Sequence, residues 1–321
     1  MKAWRRAATC VLCGMVLLAL APNNWGQAPN APRPSASLTA SLTDAKKAMD
    51  ERRFSDAETT LRVYLALYER SSEARYMLAY SLLREGKAKD SLEEYTRAAA
   101  LRTPTAGDLR NVGEAYVLLG DYDDAGKWMQ RALTMEPGNA DTLYNLGRLR
   151  YTENRFAESV GYFQRVLGVA PRNVKAENNL GLAFEGLDRM ADAEAAYRQA
   201  IAWQDAGPPG ELSEQPLINL AIVLLHRNDA AGAEPLLERA AKLAPKDPRI
   251  HEQLGQLYMQ QSKFADAQRE LKTACDLDPG KSNLHFLLGQ AYKRLGRQNE
   301  AAAEFAESSR LARITSQAKP N

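Results

Sequence analysis

From residue 38 onward, apolar residues recur at i, i+3, i+4 and i+7, the spacing of amphipathic helices, and short polar or Gly/Pro-bearing stretches cut the run into helix-length pieces. The pieces repeat. The segments LYNLGRLRYTENRFAESVGYFQRVLGVAP and ENNLGLAFEGLDRMADAEAAYRQAI share a template, as do HEQLGQLYMQQSKFADAQRELKTACDLDP and HFLLGQAYKRLGRQNEAAAEFAES. A small residue of the first helix recurs at Ala45, Ala79, Gly113, Gly147, Gly181, Ala221, Gly255 and Gly289, in steps of 34, 34, 34, 34, 40, 34 and 34 residues. A small residue of the second helix keeps the same phase at Ala57, Ser91, Ala125, Ser159, Ala193, Ala233, Ala267 and Ala301. Four residues after each stands a bulky one: Leu61, Tyr95, Met129, Phe163, Tyr197, Leu237, Leu271 and Phe305. Pro137, Pro171, Pro245 and Pro279 mark helix ends, because proline cannot continue a helix.

The pattern predicts eight helical hairpins, none of which can bury its own apolar face, so that stacking supplies the core. Period and residue types closely resemble the tetratricopeptide repeat family over about residues 38–315. The resemblance implies an all-α, right-handed α-solenoid with repeats starting near 38, 72, 106, 140, 174, 214, 248 and 282, a short tail over 316–321, and first helices lining the concave side. Three places depart from the template. Asp44-Ala45 stands where most copies have Leu-Gly, which suits an N-terminal cap. The longer step carries six extra residues centred on Ala206-Gly207-Pro208-Pro209-Gly210, a length that a surface loop tolerates. After the eighth hairpin the chain soon ends, leaving Arg294, Arg297, Arg310 and Arg313, or a partner, to cover that face.

The first 28 residues do not share the repeat. Lys2, Arg5 and Arg6 precede a charge-free run from Ala7 to Ala21, too short for a comfortable membrane span. Gly26-Gln27-Ala28 then supplies a small-x-small cleavage pattern, so residues 1–28 read as a signal peptide and the protein as exported, periplasmic or secreted. Pro29 would follow that cut, and Pro22 spoils the alternative after Ala21. Cys13 follows Leu12 and Cys10 follows Thr9, so neither has the small preceding residue of a lipoprotein site. Residues 29–37 (PNAPRPSAS) read as a flexible or extended linker.

Length alone, 321 residues, would suggest two domains, but the repeat makes it one solenoid. A net charge of +2 argues against a protein that neutralises many phosphates, and no nucleic-acid partner is expected. Signal removal takes three basic residues and no acid, giving a charge of −1, and leaves Cys275 as a lone thiol with no internal disulfide to form. No integral membrane segment is expected after cleavage. Gly280-Lys281-Ser282 imitates a phosphate loop but follows a helix, and its first glycine would fall at Cys275. Asp276 and Asp278 lack the later ligands of a calcium loop. His226, His251 and His285 lack metal-ligand spacing and read as structural. No catalytic motif appears, so the expectation is a non-enzyme without cofactor or metal.

The candidate site is the concave groove. Two residues before the small mark lie Asn111, Asn145, Asn179 and Asn219, with Gln253 next. An amide can pair with both groups of an extended backbone. The row resembles the asparagine ladder in the superhelical arm of O-linked N-acetylglucosamine transferase, although Asn is also a common consensus choice at this place. Tyr144, Tyr151, Ile218, Ile222 and Leu225 would add apolar contacts, and Tyr76 and Tyr80 lie on the same helices. The two-basic, two-asparagine clamp of chaperone-binding relatives is not reproduced: the matching face reads Arg110, Glu114, Asn145 and Asn178, with Leu182 where a basic residue is needed. The expected function is a protein-interaction scaffold of the cell envelope holding a partner segment. The alternative is an accessory component for carbohydrate binding or polysaccharide assembly and secretion, with Tyr76, Tyr80, Tyr144 and Tyr151 stacking on sugars. If the four asparagines serve binding alone, replacing them together leaves melting nearly unchanged.

Overall fold

A computed structural model of the chain describes residues 36–207 and 212–317, so the signal peptide and most of the linker lie outside the described residues. Ala36 and Ser37, expected in the linker, are the first residues of a helix. Sixteen helices and no strand occur among the described residues. They fall into two compact units, divided after Leu149.

The first unit holds α1 (Ala36–Asp50), α2 (Phe54–Leu67), α3 (Ser72–Arg84), α4 (Ala88–Ala99), α5 (Ala106–Leu118), α6 (Tyr122–Met135) and most of α7 (Ala140–Thr152). Three hairpins pack in order, α1 on α2, α3 on α4 and α5 on α6, and the first helices touch one another, α1 to α3 and α3 to α5. The divergent first copy packs like the others: Ala45 and Leu61 are fully buried in one cluster with Ala57 and Leu78.

The second unit holds α8 (Phe156–Val169), α9 (Val174–Gly186), α10 (Met190–Asp205), α11 (Gln215–His226), α12 (Ala230–Leu243), α13 (Pro248–Gln260), α14 (Phe264–Leu277), α15 (Ser282–Arg294) and α16 (Gln298–Gln317). Its hairpins pair α9 with α10, α11 with α12, α13 with α14 and α15 with α16, and the first helices α11, α13 and α15 touch in turn. The lengthened loop is tied at its base, where the Ser213 amide donates to Gln204 Oε1 at 3.2 Å. Its residues 208–211 lie outside the described residues. In α16, Ala302, Ala303, Ala306, Ser309, Arg310 and Arg313 are exposed, together with the large apolar Ile314.

The small marks work by close approach. A Cβ added to Gly181 would lie 2.5 Å from the Tyr197 ring, and one on Gly255 would lie 2.4 Å from Leu271 Cγ. Tyr197 and Leu271 are fully buried. Burying a side chain of that size contributes about 1.5–3 kcal/mol.

Each turn between first and second helix has the same backbone. The residue seven past the small mark has positive φ in all eight copies: Arg52, Gly86, Gly120, Asn154, Asp188, Asn228, Ser262 and Gly296. The next amide reaches back to a carbonyl five residues earlier, as in Lys87 N to Leu82 O at 2.9 Å and Lys263 N to Tyr258 O at 2.9 Å. This is the left-handed helix end at which glycine is favoured. Five of the eight copies carry a side chain there. Ser262→Gly is expected to raise stability by about 0.5–1 kcal/mol, and Gly120→Val to lower it by about 1–2 kcal/mol. Urea unfolding of the two variants against the parent chain checks both signs.

Candidate interaction surface

The first-helix faces carry the residues singled out from the sequence, and the structure divides them into engaged and solvent-reaching sets. In the first unit, Asn145 Nδ2 donates to Glu114 Oε1 across adjacent hairpins. Glu114 also lies 3.9 Å from Arg110 Nε, and Arg110 Nη1 donates to Asp141 Oδ2 at 3.1 Å. Asn111 is half-buried beside the Tyr95 hydroxyl, whose phenol burial pushes well above its usual range. In the second unit, Asn219 Nδ2 donates to Asn178 Oδ1 at 2.9 Å, and Asn179 is half-buried. Two of the four ladder amides therefore spend a donor on the preceding hairpin. A partner backbone would compete with those bonds.

The aromatic and aliphatic candidates also divide. Tyr76 is 7% exposed. Its hydroxyl donates to the Arg102 carbonyl at 2.9 Å and the Arg102 guanidinium sits 4.1 Å over its ring. Burial, then the nearby Asp108, pushes its phenol up to about 12. Tyr76 is thus packing, not groove lining, because its ring and its hydroxyl are both used within the hairpin stack. Tyr80 stays half-buried, edge-on to Phe54 at 6.0 Å. Tyr144 is half-buried. Tyr151 is 37% exposed and meets Phe156 edge-on at 5.4 Å, with its phenol raised by burial and then by Glu185. Glu185 in turn accepts from the Tyr197 hydroxyl. Ile218 and Leu225 are buried, which makes them core, whereas Ile222 is half-buried.

Among the described residues no group of three His, Cys, Asp or Glu is placed to hold a metal ion, and no helix is long and apolar enough to cross a membrane. Cys275 is buried, and burial pushes its thiol up to about 12. Sequence reasoning missed Glu114 and Asn178 as partners of the ladder. The signal was present in their identity, an acceptor one hairpin back on the same face.

Tetratricopeptide repeat models match residues 42–108 and 144–211, 109–141, 224–274 and 282–314, and a further TPR repeat model matches 255–296. The chain belongs to the tetratricopeptide repeat family. Among solved TPR structures, a tetratricopeptide repeat protein from Parabacteroides merdae ATCC 43184 is similar with TM-score 0.61 at 18% identity, over 79% of this chain and 98% of that one. PilW, a widely conserved type IV pilus biogenesis factor, has TM-score 0.56 at 20% identity, over 63% and 91%. The APC/C hetero-tetramer Cut9–Hcn1 has TM-score 0.59 at 15% identity, over 86% of this chain and 54% of that one. No curated protein matches the sequence. These likenesses show the fold.

For this TPR chain, the inter-hairpin amide bonds alter the expectation that replacing all four asparagines leaves melting unchanged. Asn145→Ala and Asn219→Ala are each expected to lower stability by about 0.5–1.5 kcal/mol, the net value of one hydrogen bond. Urea unfolding measures it. Unaltered midpoints in both variants would show that the amides are not structural ties.

Proposed function

We propose that this protein is a non-catalytic scaffold of the cell envelope that holds an extended segment of a partner protein against its first-helix faces. The observation that carries the reading is periodic: asparagine stands at the same repeat position in four consecutive first helices, at Asn111 and Asn145 in the first unit and at Asn179 and Asn219 in the second. First helices of each unit carry solvent-reaching side chains, Tyr80 and Tyr144 in the first and Tyr151 and Ile222 in the second. A regular row of amides and apolar groups suits a chain with its own regular backbone. Solenoids of stacked hairpins are chiefly used as extended binding surfaces. The envelope assignment rests on the charged start, the short apolar run and the small-x-small pattern at Gly26-Gln27-Ala28. The fold neighbour PilW, a type IV pilus biogenesis factor, is an example of the kind of assembly role we have in mind.

Two measurements test the parts separately. N-terminal sequencing of protein recovered from fractionated cells is expected to begin near Pro29, and recovery of intact Met1 in the cytosol would overturn export. For the binding mode, a partner captured from the envelope fraction is mapped against Tyr151→Ala, which is exposed, and Ile222→Ala, which is half-buried, neither of which removes an inter-hairpin amide bond. Each variant is expected to weaken binding by about tenfold, the scale of an ordinary interface contact. Undiminished binding by the double variant moves the partner off this face.

A further inference from the structure

One bridging position recurs in three hairpins, with a nitrogen-bearing side chain set between a glutamate and a backbone carbonyl at the same sequence offsets. In the second hairpin, Arg75 Nη1 donates to Glu94 Oε2 at 2.8 Å, and its Nη2 and Nε donate to the Glu69 carbonyl at 2.8 and 3.1 Å. In the seventh, His251 Nδ1 is 2.8 Å from Glu270 Oε2 and Nε2 is 3.0 Å from the Pro245 carbonyl. In the eighth, His285 Nδ1 is 2.7 Å from Glu304 Oε2 and Nε2 is 3.1 Å from the Pro279 carbonyl. Each bridge ties a first helix to its second helix, 19 residues away, and to the loop arriving from the preceding hairpin, 6 residues away. Arg75, His251 and His285 all stand four residues before the small mark. Their side chains are only 13%, 11% and 13% exposed, so water is a poor substitute for the part-buried carboxylate bonds, while the bonds to the backbone carbonyls lie at the surface.

The chemistry of the slot is a cation between two acceptors. A guanidinium fills it with permanent donors. A neutral imidazole donates from one nitrogen only, a backbone carbonyl only accepts, and an ionised carboxylate only accepts. Both bonds therefore form together only when the His–Glu pair carries one additional proton, on the ring or on the carboxyl group.

We propose that His251–Glu270 and His285–Glu304 each hold such a proton, and that it fastens the last two hairpins, so that this end of the stack loosens as pH rises through the range in which histidine loses its charge. An ordinary imidazole changes charge between about pH 5 and 8. A tie made by the protonated form is complete at the acid side and lost as pH rises. The surrounding charges are mixed. Glu270 also faces Arg269 Nε at 3.4 Å, and Asp247, paired with Arg249, acts on His251 from the preceding loop. Glu307, paired with Arg310, acts on His285 from α16, and buried Cys275 on α14 lies within the field of Glu304. The second hairpin, bridged by Arg75, has no titratable donor in its slot and serves as the reference within the same molecule.

The test is amide hydrogen exchange by mass spectrometry on the full chain from pH 5.5 to 8.5, corrected for intrinsic exchange. Protection over 248–317 is expected to fall about tenfold relative to 72–99 between pH 6 and pH 8. In His251→Arg/His285→Arg the ratio becomes independent of pH, and in His251→Gln/His285→Gln it is low throughout. A wild-type ratio that does not change with pH overturns the proposal, as does a change that persists in both variants. Should a variant fail to fold, ring nitrogen NMR of the wild-type chain decides: rings that turn neutral while protection of 248–317 stays constant overturn it.

Discussion

Two helices can approach to backbone distance only where one of them gives up its side chain, and each hairpin of this protein is organised around such a place. The ring of Tyr197 fills the volume that a side chain at Gly181 would need, and Leu271 does the same over Gly255. Ala79 and Ala221, both fully buried, show that a single methyl group is also accommodated at this position, and Tyr95 and Leu237 are buried at the bulky one. The small residue fixes the spacing of the two helices, and the bulky one fixes their rotation about each other. Once both are set, the remaining apolar residues of the hairpin face outward along its flanks and need the next hairpin to cover them. A stack follows from that one contact.

This is why the architecture was legible from residue types alone. The contact sets a small residue against a bulky one sixteen positions later, with a second small residue between them, and that spacing is visible in the sequence. Repetition in eight copies multiplied the signal. The turns were equally legible but went unread: Gly86, Gly120 and Gly296 fall at one phase of the repeat, and Asn154, Asp188 and Asn228 fall at the same phase, all residue types that tolerate left-handed backbone. Arg52 and Ser262 hide the pattern, because the hairpin contacts hold them in a conformation their own chemistry does not favour.

The candidate site was legible as a face but not as a set of available groups. Spacing places Tyr76, Ile218 and Leu225 on the same helices as Tyr80 and Ile222, yet the structure buries the first three and leaves the others reaching solvent. The difference lies in what arrives from elsewhere. Arg102, from the loop after α4, closes over Tyr76, and no periodicity in the first helices could announce that. The same holds for the asparagines. Their amides suit an extended backbone, but the side chains of Glu114 and Asn178 one hairpin back reach two of them first. A repeat protein that offers identical polar groups at regular spacing also offers them to its own neighbouring repeats, and recognition of a partner has to be argued net of that competition.

A repeat also lets one position be compared across environments that differ little else. The slot four residues before the small mark is held by Arg75, by Glu177 and by His251 and His285 in different copies. With arginine it is a permanent tie. With Glu177 the partner position holds Ala196, which offers the carboxyl group no donor, and burial alone raises it above its usual value. With histidine the partner acid is present and the donor count depends on a proton. The cases differ in both partners: Glu94, Glu270 and Glu304 supply a carboxylate to arginine or histidine, and Ala196 supplies none opposite Glu177. Each copy whose slot holds a base has an acid to meet it, Glu94 for Arg75, Glu270 for His251 and Glu304 for His285, as a tie between helices requires.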